Sequence, residues 1–282
     1  MIKGTARFGM VFAVGFLSWN AAFAATVAYY RFDGGNLVDS TGVSAHDGTV
    51  WAGGGTPGYS STVPVNPVPL TGASNTTSLS LAVNDTIDFN YAFPFNGTNG
   101  TLEFWIDPDT SGPSTYGDHD IFWTKTTGGD SNRFNIAING YTHGLSMDYR
   151  DSTPLGIQHG VISTAAGSIP DGVWTFVAIV KSGDNWSVYL NGSSSPVSTS
   201  TTPGENYPTS IGWTIDGRQI AGNGSGSIAG FIDEVRRSDV ALTPSQFLDA
   251  SPSGSTPEPG SFALLGTGML LLVGRLRRNR RG

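Results

Sequence analysis

The chain contains no cysteine in its 282 residues. That excludes a disulfide framework, a cysteine zinc site and a thiol nucleophile. Glutamate is scarce, occurring only as Glu103, Glu205, Glu234 and Glu258. Basic residues are thin through the middle of the chain. Residues 25–256 hold 21 Asp/Glu against 8 Lys/Arg, which leaves a formal charge of −13. Binding to nucleic acid begins with Lys and Arg neutralising phosphates, so no nucleic-acid partner is expected. No helical periodicity of ten residues or more occurs away from the two termini, which argues against a helical bundle.

What is present is turn composition and short strands. Gly 39 and Pro 16 mark a turn-rich chain, and aromatics at 11% supply a core. Candidate strands are 26–32, 48–51, 78–83, 101–106, 121–125, 134–139, 145–150, 174–181, 186–191, 210–214 and 227–236. Ser182-Gly183-Asp184 reads as a hairpin turn between two of them. One short helix is expected from Thr243, with Pro244 at its first position and Gln246 closing a capping box. Residues 53–72 read as a long Pro/Gly loop and 251–256 as a polar linker. Many short strands without intervening helices point to an all-β, two-sheet antiparallel sandwich of the jelly-roll kind, over residues 25–250.

The two ends read as signals. Lys3 and Arg7 precede an apolar run, 8–17, and Ala22-Phe23-Ala24 supplies a cleavage site after Ala24. At the other end Pro257-Glu258-Pro259 precedes an apolar run, 261–274, and then five arginines within 275–281. Fourteen helical residues span about 21 Å, short of a hydrocarbon core of about 30 Å. Such a run suits transient membrane contact, with the arginines held in the cytoplasm. This three-part end resembles the PEP-CTERM sorting signal. The resemblance implies processing at Pro257–Pro259 by an exosortase-type enzyme and a surface or extracellular destination.

Three further segments carry a second resemblance. They are Ala28-Tyr29-Tyr30-Arg31-Phe32-Asp33-Gly34-Gly35, the hairpin 174–192, and Ile228-Ala229-Gly230-Phe231-Ile232-Asp233-Glu234-Val235-Arg236 followed by Ala241-Leu242-Thr243. In this order they are similar to the laminin-G-like domains of the concanavalin-A-like lectin/glucanase superfamily. That implies a non-catalytic carbohydrate- or protein-binding module, often with calcium. Glucanases of the related branch use Glu-x-Asp-x-x-Glu on one strand, with one carboxylate as nucleophile and one as acid/base. The chain lacks that pattern, and its four histidines show no metal-ligand spacing. A hydrolase assembled from scattered Asp residues stays open, as does a purely structural matrix protein.

Candidate sites follow. Asp33 and Asp233 lie by the first and last strands, which are neighbours in such a fold. Their carboxylates would repel without a cation between them, either calcium or Arg31 or Arg236. Asp107, Asp109 and Asp118 match calcium-loop positions 1, 3 and 12, although the flanks read as strands. Trp123 and Trp213 stand beside polar loop residues and are the expected ligand contacts, while Trp105 and Trp174 are expected in the core. The expected partner is extracellular polysaccharide.

Overall fold

The computed structural model describes residues 26–91, 95, 97–112, 117–124, 133–150, 158–202, 212–215 and 228–251. The cleavage site at Ala24, the sorting segment with Pro257, Glu258 and Pro259, and the run 261–274 lie outside the described residues. Among the described residues there are fifteen strands. They are β1 Thr26–Tyr30, β2 Thr49–Val50, β3 Gly58–Ser60, β4 Ser78–Leu81, β5 Ile87–Phe89, β6 Asn99–Asp109, β7 Asp118–Thr124 and β8 Arg133–Asn139. They continue as β9 Leu145–Arg150, β10 Gln158–Ser163, β11 Thr175–Ser182, β12 Asn185–Leu190, β13 Ser198–Thr201, β14 Trp213–Ile215 and β15 Ala229–Ser238.

An eight-stranded sheet runs β13-β12-β11-β6-β15-β4-β3, with β1 also paired to β15. A seven-stranded sheet runs β10-β9-β8-β7-β14-β5-β2. Every ladder is antiparallel. All eleven expected strands overlap observed ones. β3, β5, β10 and β13 were not expected, since they are short or rich in Gly and Ser. The hairpin turn lies where expected, between Ser182 and Asn185, with Gly183 at φ +61. The expected helix is a single 3-10 turn, Pro244–Gln246, and Gln246 Oε1 accepts from Thr243 N at 2.9 Å.

Alternation along the strands builds the core between the sheets. Leu102, Phe104 and Ile106 of β6 face Phe134, Ile136 and Ile138 of β8 and Met147 and Tyr149 of β9 in one buried cluster. Trp213 belongs to this cluster, its ring stacked on Phe89 with centroids 4.1 Å apart.

A second buried cluster covers the outer face of the eight-stranded sheet. Trp105, Phe176, Ala178 and Val180 pack there against Tyr29, Val68, Leu242, Phe247 and Leu248. The chain after β15 is fastened by buried polar groups. Arg236 donates through Nε to Glu103 Oε2 at 2.7 Å and through Nη2 to the Gln246 carbonyl at 2.6 Å. Leu248 N donates to Glu103 Oε1 at 2.8 Å. Burial pushes the Glu103 carboxyl up while Arg236 pulls it down.

Candidate functional site

The outer face of the seven-stranded sheet is polar where its opposite face is core. Residues next to each other across the strands form one row: Asp88, Thr214, Trp123, Asn135, Asp148 and Gly160. A parallel row holds Asp120, Ala137, Ser146 and Ser163. Small residues at β9 and β10 leave space above them. A groove of about 710 Å³ opens there, lined by Asp118, Asn139, Ser146, Asp148, Gly160 and Ser163 and closed by Ser198–Ser200 of β13. Its size falls in the range of small-ligand sites, about 300–1,000 Å³. Ser198 Oγ donates to the Ser163 carbonyl at 2.6 Å and ties the edges of the two sheets together at one end.

The turn between β8 and β9 forms the rim. Asn139 Oδ1 accepts from the backbone of Tyr141 at 3.1 Å and Thr142 at 3.0 Å, and its Nδ2 donates to Asp118 Oδ1 at 3.0 Å. This Asx arrangement lifts Tyr141 into solvent, where it is 82% exposed. Its ring lies over Gly117, at φ +76, where a Cβ would collide with it. On the floor, burial pushes the Asp148 carboxyl up, partly offset by Arg133 and Arg150.

The two expected ligand tryptophans are elsewhere. Trp213 is 0% exposed and Trp123 is 3% exposed. Residue parity on β14 turns Trp213 into the core. Trp123 is interior to β7, between β8 and β14, with the Arg133 guanidinium 4.0 Å above its ring. Neither ring face is open to a sugar, which corrects the expectation of ligand contact. Trp105 is buried as expected, whereas Trp174 precedes β11 and is only half-buried, beside exposed Val173. The exposed aromatic beside the groove is Tyr141, in the turn between the lining residues Asn139 and Thr142; the sequence sets it among the aromatics in or beside loops but favours Trp123 and Trp213 over it. Its signal was the Asn-Gly-Tyr-Thr turn after an alternating strand.

Asp107, Asp109 and Asp118 do not form a calcium loop. β6 carries the extended backbone through Asp109, and Asp118 opens β7 in the other sheet. Asp109 instead accepts from Ser111 Oγ at 2.5 Å and from Ser111 N at 3.0 Å, which hold its carboxyl below the usual range.

Asp33 and Asp233 do converge. β1 pairs with β15, and the Asp33 charge raises the carboxyls of both Asp233 and Glu234. A bulge at Asp233–Arg236 puts Glu234 at φ +51 and breaks the alternation expected of neighbouring strand residues. Both carboxylates therefore reach the same buried cluster. Arg31 sits among them, 2.5 Å from Asp33 Oδ2 and 3.3 Å from Glu234 Oε1. Asp233 accepts from Asn75 Nδ2 at 2.8 Å and from Glu234 N at 2.9 Å. Tyr29 Oη donates to Glu234. Desolvation pushes Asp233 up to about 8 and Glu234 up to about 7. Among the described residues, no group of three or more His, Asp or Glu is arranged to hold a metal ion on its own.

Residues 74–247 match the family described as the concanavalin A-like lectin/glucanases superfamily, and residues 255–279 match the PEP-CTERM protein-sorting motif. Among solved structures, domain 4 of AbnA is similar over 80% of this chain and 97% of its own, at 20% identity and a TM-score of 0.58. AbnA is an extracellular GH43 arabinanase from Geobacillus stearothermophilus, and the domain was solved with arabinotriose. The binding domain of botulinum neurotoxin serotype D is similar at 14% identity and TM-score 0.53, over 79% of this chain and 50% of that one. The receptor-binding domain of type G gives 13% and 0.52, over 80% and 50%. These likenesses show the fold. A search of curated protein sequences returns no match.

Proposed function

The chain belongs to the concanavalin A-like lectin/glucanases superfamily and carries a sorting motif for export and membrane-anchored processing, and from that premise we propose that it is a non-catalytic protein that grips polysaccharide in the groove of the seven-stranded sheet. Its place is the cell surface or the extracellular matrix, after an exosortase-type enzyme has removed the sorting tail. The observation that carries this reading is Tyr141, an exposed ring in the turn between Asn139 and Thr142, which themselves line a groove of hydroxyl, amide and carboxylate groups. A sugar presents an apolar face to such a ring and hydroxyls to such a lining. A pentose oligomer is the first probe, since the arabinanase domain was solved with one. On a glycan array the exported protein should retain at least one plain polysaccharide, and Tyr141→Ala should weaken retention about tenfold, which is about 1.4 kcal/mol. Unchanged retention in Tyr141→Ala removes the groove as the site. Release of reducing sugar from the retained glycan would replace the binding reading with a hydrolytic one.

A structural calcium ion at Asp33 and Asp233 is a second proposal. The observation that favours it is Asn75, fully buried with Oδ1 lacking a partner while its Nδ2 bonds Asp233. Two carboxylates, Asp33 and Glu234, also face the single Arg31 there, and the charges of both raise the Asp233 carboxyl. Asp33 and Asp233, with the Asn75 amide oxygen, would hold the ion, which would neutralise charge and fasten β15 to the segment after β1. Calcium at a hundredfold excess over Kd adds about 2.7 kcal/mol to stability. Melting with calcium and then with chelator should differ by several degrees, and less so in Asp233→Asn. No difference removes the ion.

A further inference from the structure

We propose that the groove prefers sugars bearing free amino groups over their N-acetylated counterparts and over uronic acids; this rests on the polysaccharide-binding reading above. Among the described residues, the lining includes the carboxylates Asp118 and Asp148 together with serine and threonine hydroxyls. No Lys, Arg or His lines it. Asp148 is only 8% exposed, and its Oδ1 is buried without a hydrogen-bond partner. Asn135, beside it on β8, hydrogen-bonds the Asp148 carboxyl from outside the groove lining. Asp148 Oδ1 is thus an acceptor that wants a donor, and a buried acceptor left alone is costly.

An ammonium group offers three donors and no acceptor, together with the charge that two carboxylates call for. An N-acetyl group replaces that charge with a neutral amide. A uronate brings a third carboxylate into a site that holds two, on a chain body of charge −13.

The groups facing Asp148 are Asn135, Arg133, Arg150 and Asp118. The two arginines form the cross-strand pair beyond Asp148, and neither lines the groove. Arg133 is also engaged over the Trp123 ring. From beside Asp148 along the strands they favour its ionised form against its burial, while the groove lining offers it no cation. Falling pH protonates Asp148 and should erode the preference for the amine.

Isothermal titration of the exported protein at pH 7 tests this. The probes are glucosamine oligomers, N-acetylglucosamine oligomers of the same length, and oligogalacturonate. The amine form should bind at least tenfold tighter than the acetylated form, and oligogalacturonate should not bind. Raising salt from about 50 to about 500 mM should narrow that ratio, because screening acts on the charged ligand. Asp148→Asn should bring the ratio close to one, and Asp118→Asn should lower it as well, with folding checked by near-UV circular dichroism. If Asp148→Asn fails to fold, the Asp118→Asn ratio carries the test. Equal binding of amine and acetyl forms, or binding of oligogalacturonate, overturns this inference and leaves the groove as a glycan site. Binding of no sugar at all overturns both.

Discussion

The two sheets turn very different outer faces to the outside. On the eight-stranded sheet the outer residues of β6 and β11 are Trp105, Phe176, Ala178 and Val180, and the chain itself covers them with Val68 and with Leu242, Phe247 and Leu248. On the seven-stranded sheet the equivalent positions of β8 and β9 are Asn135, Ala137, Ser146 and Asp148, with a groove above them. The first face serves stability, and the second, left open by the described residues, is the proposed binding face. The segment that leads to the sorting motif lies on the covered face, so the groove sits on the other side of the sandwich from the point where the chain leaves it.

This contrast can be broken most severely on the covered face. Glu103→Ala would leave Arg236 as an uncompensated buried charge and free the Leu248 amide. Losing one partner of a buried ion pair costs about 3–5 kcal/mol. Chemical denaturation should show that loss, and a change under 1 kcal/mol would mean the chain after β15 is not fastened by Glu103. Truncating a fully buried tryptophan also costs about 3–5 kcal/mol. Trp213→Ala should therefore destabilise more than Trp174→Ala, whose side chain is only partly buried, and equal losses in the two melting curves would contradict that difference in burial.

A smaller effect belongs to the junction of β1 and β15. The native carboxyls of Asp233, at about 8, and Glu234, at about 7, hold protons that ordinary unfolded carboxyls lose near pH 4. Between those values the native state binds more protons than the unfolded one, so stability falls as pH rises. Without calcium, Tm should decline from pH 5 to pH 8 and level off above that. Calcium in place of the protons should flatten the slope. A Tm that climbs over this range contradicts the buried cluster.

The smallest stability effect is expected at the groove rim. Tyr141→Ala removes an exposed ring, and surface changes of that kind stay within about 0.5 kcal/mol. A large loss of stability would mean that Tyr141 holds the turn together rather than presenting a ring.

The sandwich and most of its strands were legible because alternation and turn residues are local signals. Strands such as Ser198–Thr201 carry no apolar residue and exist only because β12 offers an edge. The site was less legible. Trp213 and Trp123 differ from Trp105 by strand parity and by what covers each face, and neither property is local. Neighbouring strand residues face opposite sides, but a bulge, which no local pattern marks, turns Asp233 and Glu234 into one cluster. Asp33 and Asp233 met as expected, because strand order carries that information. Asp107, Asp109 and Asp118 had calcium-loop spacing, but the backbone there is a strand, and spacing means something only once the backbone is known.

The central claim is that the polar face, and not the covered one, holds polysaccharide. Gly160 lies on that face, with open space around the position its Cβ would take. Gly160→Trp should fill the groove without a clash, while Val240→Trp adds the same bulk at an exposed position beside the covered face. The direct measurement is titration of the retained glycan into the exported protein and both variants. The account predicts that Gly160→Trp abolishes binding while Val240→Trp binds as the parent does, with both folded. Full binding by Gly160→Trp would contradict it.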